Sequence, residues 1–385
     1  MRTPPEMKNI LFLLSLFLLF SCIKAYDPEI DEASGNKYVV SGRIVNAEGW
    51  QEVEVSLSSP FQSPKYITVS GCQVTVTDQK GHVFTMEEYS PGHYLTWMGD
   101  EYVVPGNAYR VRVLTPDNQE LVSGFDQMPK GPSLDSVYYS VNEVPAPNSQ
   151  TPRKIMQFYV DLNAVGDDSH FYKWEIEETW EYHSAHAAEF YYDGIIHQIA
   201  PPDSSNMICW ATGPVKNVFT LSTKGLSQNG YTQFPLHNVD EHSSRLTVLY
   251  SMLVSQLALS EEAYNYWEQM RINSNEQGGL YEKQPLAIKG NLINLTNPEN
   301  VVLGYFFAAS VSSGRYFYHD VEGMSKGFNA CYEEDLPVFG FRSFFPWEYP
   351  VWFYYNAGMI KILYTGCVDC RQLGGTKTKP DFWPN

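Results

Sequence analysis

The chain has 385 residues, with 26 basic against 44 acidic side chains and a formal net charge of −18. Hydrophobic residues at 43% and charged residues at 18% are ordinary globular proportions, which excludes a wholly disordered chain. The acidic balance and the absence of a Lys/Arg run argue against nucleic acid, whose binding rests on cations neutralising phosphates. Aromatic residues make up 15% of the chain, which favours a β protein.

At the amino terminus, Arg2 and Lys8 precede an apolar run from Ile10 to Phe20, interrupted by Ser15. As a helix this run spans roughly 16 Å against about 30 Å for a bilayer core, so it is too short to cross a membrane. It reads as the apolar region of a signal peptide over residues 1–21. Leu19-Phe20-Ser21-Cys22 resembles the bacterial lipobox, and that resemblance implies cleavage before Cys22 and acylation of its thiol and amine. Residues 22–36 then form a polar tether, in which Asp27, Glu29, Asp31 and Glu32 resemble the surface-export signal of Bacteroidota lipoproteins.

From Lys37 the chain alternates apolar and polar residues. Tyr38 to Val45, Val53 to Leu57, Val74 to Thr77, Val83 to Met86 and Tyr109 to Val113 read as short strands. Pro91-Gly92-His93-Tyr94-Leu95 continues the series, and the turns are marked by Asp78-Gln79-Lys80-Gly81, Pro105-Gly106 and Pro116-Asp117-Asn118. This spacing predicts a small antiparallel sandwich over residues 37–130, closed by Met128-Pro129-Lys130-Gly131-Pro132.

Residues 131–385 form a second, larger β-rich region with strands expected at Ser136 to Val141, Met156 to Leu162, Phe171 to Glu177 and Val301 to Val311. One inserted amphipathic helix is expected near residues 261–273. Ser260 is placed as its N-cap, Glu261 and Glu262 favour the positive end of its dipole, and Ala263, Tyr266, Trp267 and Met270 form its apolar stripe.

Cys72, Cys209, Cys331, Cys367 and Cys370 follow the lipobox cysteine. An exported chain sits in an oxidising compartment, so Cys209, Cys331, Cys367 and Cys370 are candidates for two disulfides, with Cys72 left single. Four cysteines allow three pairings; long-range pairs are favoured because a Cys367–Cys370 bridge would leave the aromatic C-terminal region unstapled. A four-cysteine zinc site is the alternative, but the second CxxC of a zinc ribbon is missing. The sequence designates no metal site, no cofactor and no catalytic residue.

Gly323-Met324-Ser325-Lys326-Gly327 matches the serine-hydrolase elbow literally, yet the last histidine, His319, precedes the serine, so a Gly-Ser turn is the better account. His183, His186 and His197, with Glu189, are the one histidine cluster; flanking Trp180-Glu181-Tyr182 places them on a strand or loop, where polar surface outweighs metal binding. Ten of the 17 residues from Phe339 to Tyr355 are aromatic. Most of these rings are expected in the core, and Trp347, Tyr349, Trp352 and Tyr354 are the candidates for a ligand or interface surface.

Residues 37–130 resemble the immunoglobulin-like modules of bacterial surface proteins. Lys173-Trp174-Glu175 through Glu181-Tyr182-His183, Ser260 through Leu280, and Gly304 through Ser312 are similar to the domain of unknown function 4249 family of Bacteroidota lipoproteins. So is the tail, Cys367-Val368-Asp369-Cys370-Arg371 with Lys379 to Trp383. The family has no assigned activity. The resemblance implies a non-enzymatic protein, lipid-anchored in the outer membrane and facing the cell surface, which serves a TonB-dependent receptor as a binding or accessory partner. A structural or adhesive envelope component is the alternative, followed by an enzyme whose site is assembled from scattered strands.

Overall fold

The computed structural model describes residues 36–60, 63–146, 151–275, 288–324 and 331–384. The signal peptide, most of the tether with Cys22, and Ser325 to Gly327 of the elbow-like motif lie outside the described residues. The protein is mainly β, and the described residues contain one α-helix. Among the described residues no helix is long and apolar enough to cross a membrane.

The first sandwich packs the antiparallel strands Tyr38–Val45, Gly49–Leu57 and His93–Met98 against Gln73–Asp78, Ala108–Leu114 and Glu120–Ser123. Alternation drives the packing. Val53 and Val55 pack with Val74, Val76, Tyr109, Val111 and Val113, all seven fully buried, in the first core. Val83–Ser90 serves both sheets, pairing with Gln73–Asp78 through its first half and with His93–Met98 through its second. The Asp78 turn forms as the sequence predicts: its carboxylate accepts from the Lys80 and His82 amides at 2.9 Å each, and Gly81 takes φ 92°.

The chain later returns to this sandwich. Leu292–Asn294 pairs with Glu120–Ser123, and Leu292, Val302, Phe306 and Ala308 enter the first core. The strand Phe306–Tyr318 then runs through both halves of the molecule. Its first residues pair in parallel with Gly42 to Val45, and Ser310 to Tyr318 pair antiparallel with Leu249–Ala258. The expected strand from Val301 begins instead at Phe306, because Gly304 takes φ 89°, at a point so close to Val40 that a Cβ would strike its carbonyl.

In the second sandwich, Phe171–His183, Leu249–Ala258 and Phe306–Tyr318 make one sheet, with Ile208–Pro214 and Phe219–Ser222 on its edge. Val137–Val144, Arg153–Asn163 and Gly230–Asp240 make the other. Phe158, Trp174, Tyr250 and Met252 fill the space between them. The helix, α1, spans Glu261–Asn275. Ser260 Oγ accepts from the Ala263 amide at 3.1 Å and donates to Asp126 at 2.6 Å, capping the helix and tying its start to the first sandwich. Ala263 is buried, and Tyr266 and Trp267 pack on Leu257, Tyr305 and Phe307.

A third, five-stranded sheet joins an excursion to the C-terminal region. Ala188–Tyr192 and Ile196–Asp203 pair with Val351–Asn356, which continues into Met359–Leu363 and Glu333–Asp335. Two disulfides fix this region, Cys209–Cys370 and Cys331–Cys367. The first bridge reaches the body of the second sandwich; the second closes a loop within the C-terminal region itself. Cys72 is a free, buried thiol whose pKa is pushed up by burial.

Candidate functional site

The aromatic run divides by local geometry. Along Val351–Asn356 the strand alternation sends Val351 and Phe353 inward, where they are nearly fully buried with Ile362. Phe341 and Phe344 pack on the same cluster. The segment before the strand is made of 3-10 turns at Gly340–Ser343 and Pro346–Glu348, which send Phe341 and Phe344 inward but carry no strand alternation. Val338, Phe339 and Trp347 are therefore 97%, 82% and 78% exposed. Phe345 is also exposed and stacks on Trp347 with ring centroids 4.5 Å apart. These four exposed side chains stand on the turns between Glu333–Asp335 and Val351–Asn356, and this turn segment is the knob.

Of the four interface candidates, Trp347 stands on the knob. Tyr349 packs edge-on to Tyr192, Trp352 packs on Tyr191, and Tyr354 lies against His186 and donates to Glu333 at 3.0 Å. Those three are half-buried and hold the third sheet together. Val338, Phe339 and Phe345 were missed as surface residues; the signal available was Pro337 and Pro346, which deny these rings a strand phase.

The histidines are separated. His183 pairs with Glu181, His197 with Asp193, and His186 with Glu333 at 2.8 Å. His186, Cys331 and Glu333 place one ligand atom each within 4.8 Å of one another, but the Cys331 sulfur is bonded to Cys367 and is not a thiolate.

A second candidate lies where the two sandwiches meet. Lys173 is 5% exposed, yet its Nζ donates to Glu175 at 2.6 Å and sits 3.5 Å from the centroid of Trp267 on α1. Arg43, from the first sandwich, donates to the other Glu175 oxygen at 2.5 Å. Burial alone would raise the Glu175 carboxyl, but Lys173 and Arg43 outweigh it and hold it at about 2. Burial lowers the Lys173 ammonium, with Glu175 opposing. Two hollows of about 400 and 280 Å³ share Arg43, Glu175 and Trp267 and form one cleft along this seam. It holds charged and aromatic groups suited to binding. No residue pattern announced it, since Arg43 and Glu175 lie far apart in sequence.

A family model described as a domain of unknown function, DUF4249, matches residues 23–315. The chain belongs to the domain of unknown function 4249 family. The matched residues of this family member include both sandwiches, α1 and the seam cleft, whereas the knob and the tail from Cys367 lie beyond them. A search of curated proteins finds no match. Among solved structures, trypsin-activated alpha-2-macroglobulin from Escherichia coli is similar at 11% identity over 60% of this chain, with a TM-score of 0.19. The chain spans 15% of that protein, and a likeness of this size carries no argument.

Proposed function

We propose that this member of the domain of unknown function 4249 family is a lipid-anchored, non-catalytic protein of the outer-membrane surface. On this reading it binds a TonB-dependent receptor as an accessory subunit. The observation that supports partner binding is the knob: four large apolar side chains stand in solvent on the turns between two strands of the third sheet, in a region fixed by two disulfides. Exposed aromatic clusters of this kind are what protein partners bury at the centre of an interface. Anchoring rests on Cys22 behind its apolar run, and surface exposure on the acidic tether.

Affinity purification from outer membranes in mild detergent should recover a TonB-dependent receptor with the wild-type chain. Phe339→Ala/Trp347→Ala should lose it while keeping the wild-type melting temperature, because both side chains are largely exposed. Equal recovery with the variant would refute the knob as the contact, and no receptor with either chain would refute the accessory role. Cys22→Ser should remain an unacylated, uncleaved precursor; fatty-acid label persisting in that variant would refute the anchor.

A further inference from the structure

The outward face of the first sandwich carries an arrangement that the receptor reading does not use. On Gly49–Leu57 the residues Gln51, Val53 and Val55 point inward, so Trp50, Glu52 and Glu54 stand in one outward row. Trp97 lies directly opposite Trp50 on the neighbouring strand His93–Met98, and the two rings meet edge to face at 5.5 Å. Both indoles are more than half exposed, Trp50 at 64% and Trp97 at 51%. Alongside, His93 Nδ1 contacts Glu52 at 2.9 Å, Tyr89 donates to Glu52 at 3.4 Å, and Tyr66 donates to Glu54. Glu52 and Glu54 also line the smaller seam hollow with Ser41, Arg43, Tyr266 and Trp267. The row from Trp50 to Glu54 covers about 13 Å of strand and opens into that hollow.

We propose that this face and the adjoining hollow bind a neutral oligosaccharide. An exposed indole face stacks on the C–H face of a sugar ring, and Trp50 and Trp97 place such rings at one end of the row. Ionised carboxylates are acceptors only, with about four lone-pair sites each, and they suit the paired hydroxyls of a sugar. Arg43 supplies planar donors, and the Tyr66 and Tyr89 hydroxyls serve as either donor or acceptor. Charge selects the class further. The row carries Glu52, Glu54 and Glu175 against Arg43 on a chain of −18, so an anionic polymer is repelled. Glu175 is already matched by Arg43 and Lys173, so the acceptors left for sugar O–H groups are those of Glu52 and Glu54. An extended peptide adding as a strand is excluded here, because Gly49–Leu57 is hydrogen-bonded on both sides and offers no edge.

The test uses the full chain in detergent, run through native gels cast with glucomannan, laminarin, starch, xylan or galactomannan. Titration calorimetry with the hexasaccharide of any retarding polymer then follows. At least one polymer should retard the protein, with an affinity unchanged between 0.1 and about 0.5 M salt, a range over which exposed ionic contacts are screened. Trp50→Ala and Trp97→Ala should each weaken binding about tenfold, Trp97→Phe should recover part of it, and all three should keep the wild-type melting temperature. Phe339→Ala/Trp347→Ala should bind sugar normally, which separates this site from the receptor contact. The proposal is overturned by any of three results: no retardation by the five polymers, sugar binding unaffected in Trp50→Ala/Trp97→Ala, or salt-sensitive binding of spermine in place of sugar.

Discussion

Removing the Cys209–Cys370 bridge should release the C-terminal region without unfolding the first sandwich. The bridge joins residues 161 apart, and in the loop-entropy account closing such a loop stabilises by about 5 kcal/mol, against about 4 kcal/mol for the 36-residue Cys331–Cys367 loop. Native bridges typically deliver about 2–5 kcal/mol, so most of that range is at stake. The released segment keeps other ties. Tyr182 donates to the Cys370 carbonyl at 2.9 Å, the Trp210 and Thr376 backbones exchange hydrogen bonds, and Trp383 donates to Glu181 at 2.9 Å. Those contacts depend on a docked tail, so they weaken together when the staple is lost. The perturbation is Cys209→Ala/Cys370→Ala, which leaves no odd thiol behind. Hydrogen exchange should quicken in Ile208–Pro214 and Val351–Asn356, while amides of Gln73–Asp78 and Ala108–Leu114 keep their protection. Unchanged exchange in the third sheet would refute the stapling argument. A mapped Cys367–Cys370 bridge would refute the pairing on which it stands.

Asp126 should give the protein a stability slope in mild acid. Burial, aided by Glu262, pushes its carboxyl up to about 6 from 3.8, although Ser260 and the Ala308 amide pull the other way. Between those values the folded state holds the proton that the unfolded state has lost. Stability should therefore fall as pH rises from about 4 to 6, by about 3 kcal/mol, and stay level above. Asp126→Asn cannot ionise and should flatten that slope in urea titrations; parallel curves for the two proteins would disprove it. Gly304→Ala should destabilise by about 2 kcal/mol or more in thermal melts, because a Cβ there strikes the Val40 carbonyl and the left-handed φ of 89° is costly to alanine. Glu175→Gln should cost about 2–3 kcal/mol, less than a fully buried pair because the Glu175 side chain is one-third exposed, and Lys173→Met in that background should recover part of it.

Alternation made most of the strands legible: Val74 and Val76, or Tyr109, Val111 and Val113, each announce an inward phase, and Ser260 with two glutamates marks the helix start. What alternation does not carry is partner choice. Nothing local in Gly42 to Val45 specifies a parallel partner at Phe306 to Ala309, and the return of Leu292–Asn294 to the first sandwich has no signal of its own. The split of the aromatic run follows the same rule. Rings on Val351–Asn356 had a strand phase to read, whereas Phe339 and Phe345 precede 3-10 turns and Trp347 lies on one, where composition says aromatic but not which way it points. Trp50 and Trp97 were legible in principle, since each lies on the outward phase of its strand, but their opposition emerges only from the register.

The bridging strand bears on how the seam cleft works. Phe306–Tyr318 is hydrogen-bonded to the first sandwich at one end and to the second at the other, so a hinge between the two would have to break a β-ladder. Asp126 adds a second tie, accepting from Ser260 on one side and from the Ala308 amide at 2.7 Å on the other, and Arg43–Glu175 adds a third. A cleft between sandwiches tied at three points is pre-organised, and its ligand loses little affinity to ordering the protein. Sugar binding at this seam should therefore proceed without a change in the separation of the sandwiches. Distance measurements between spin labels at Thr85 and Glu143, both exposed and outside the cleft, with and without the retarding hexasaccharide, check this directly. A shift in the label distance on binding would show that the seam closes and that the ladder is not the constraint argued here.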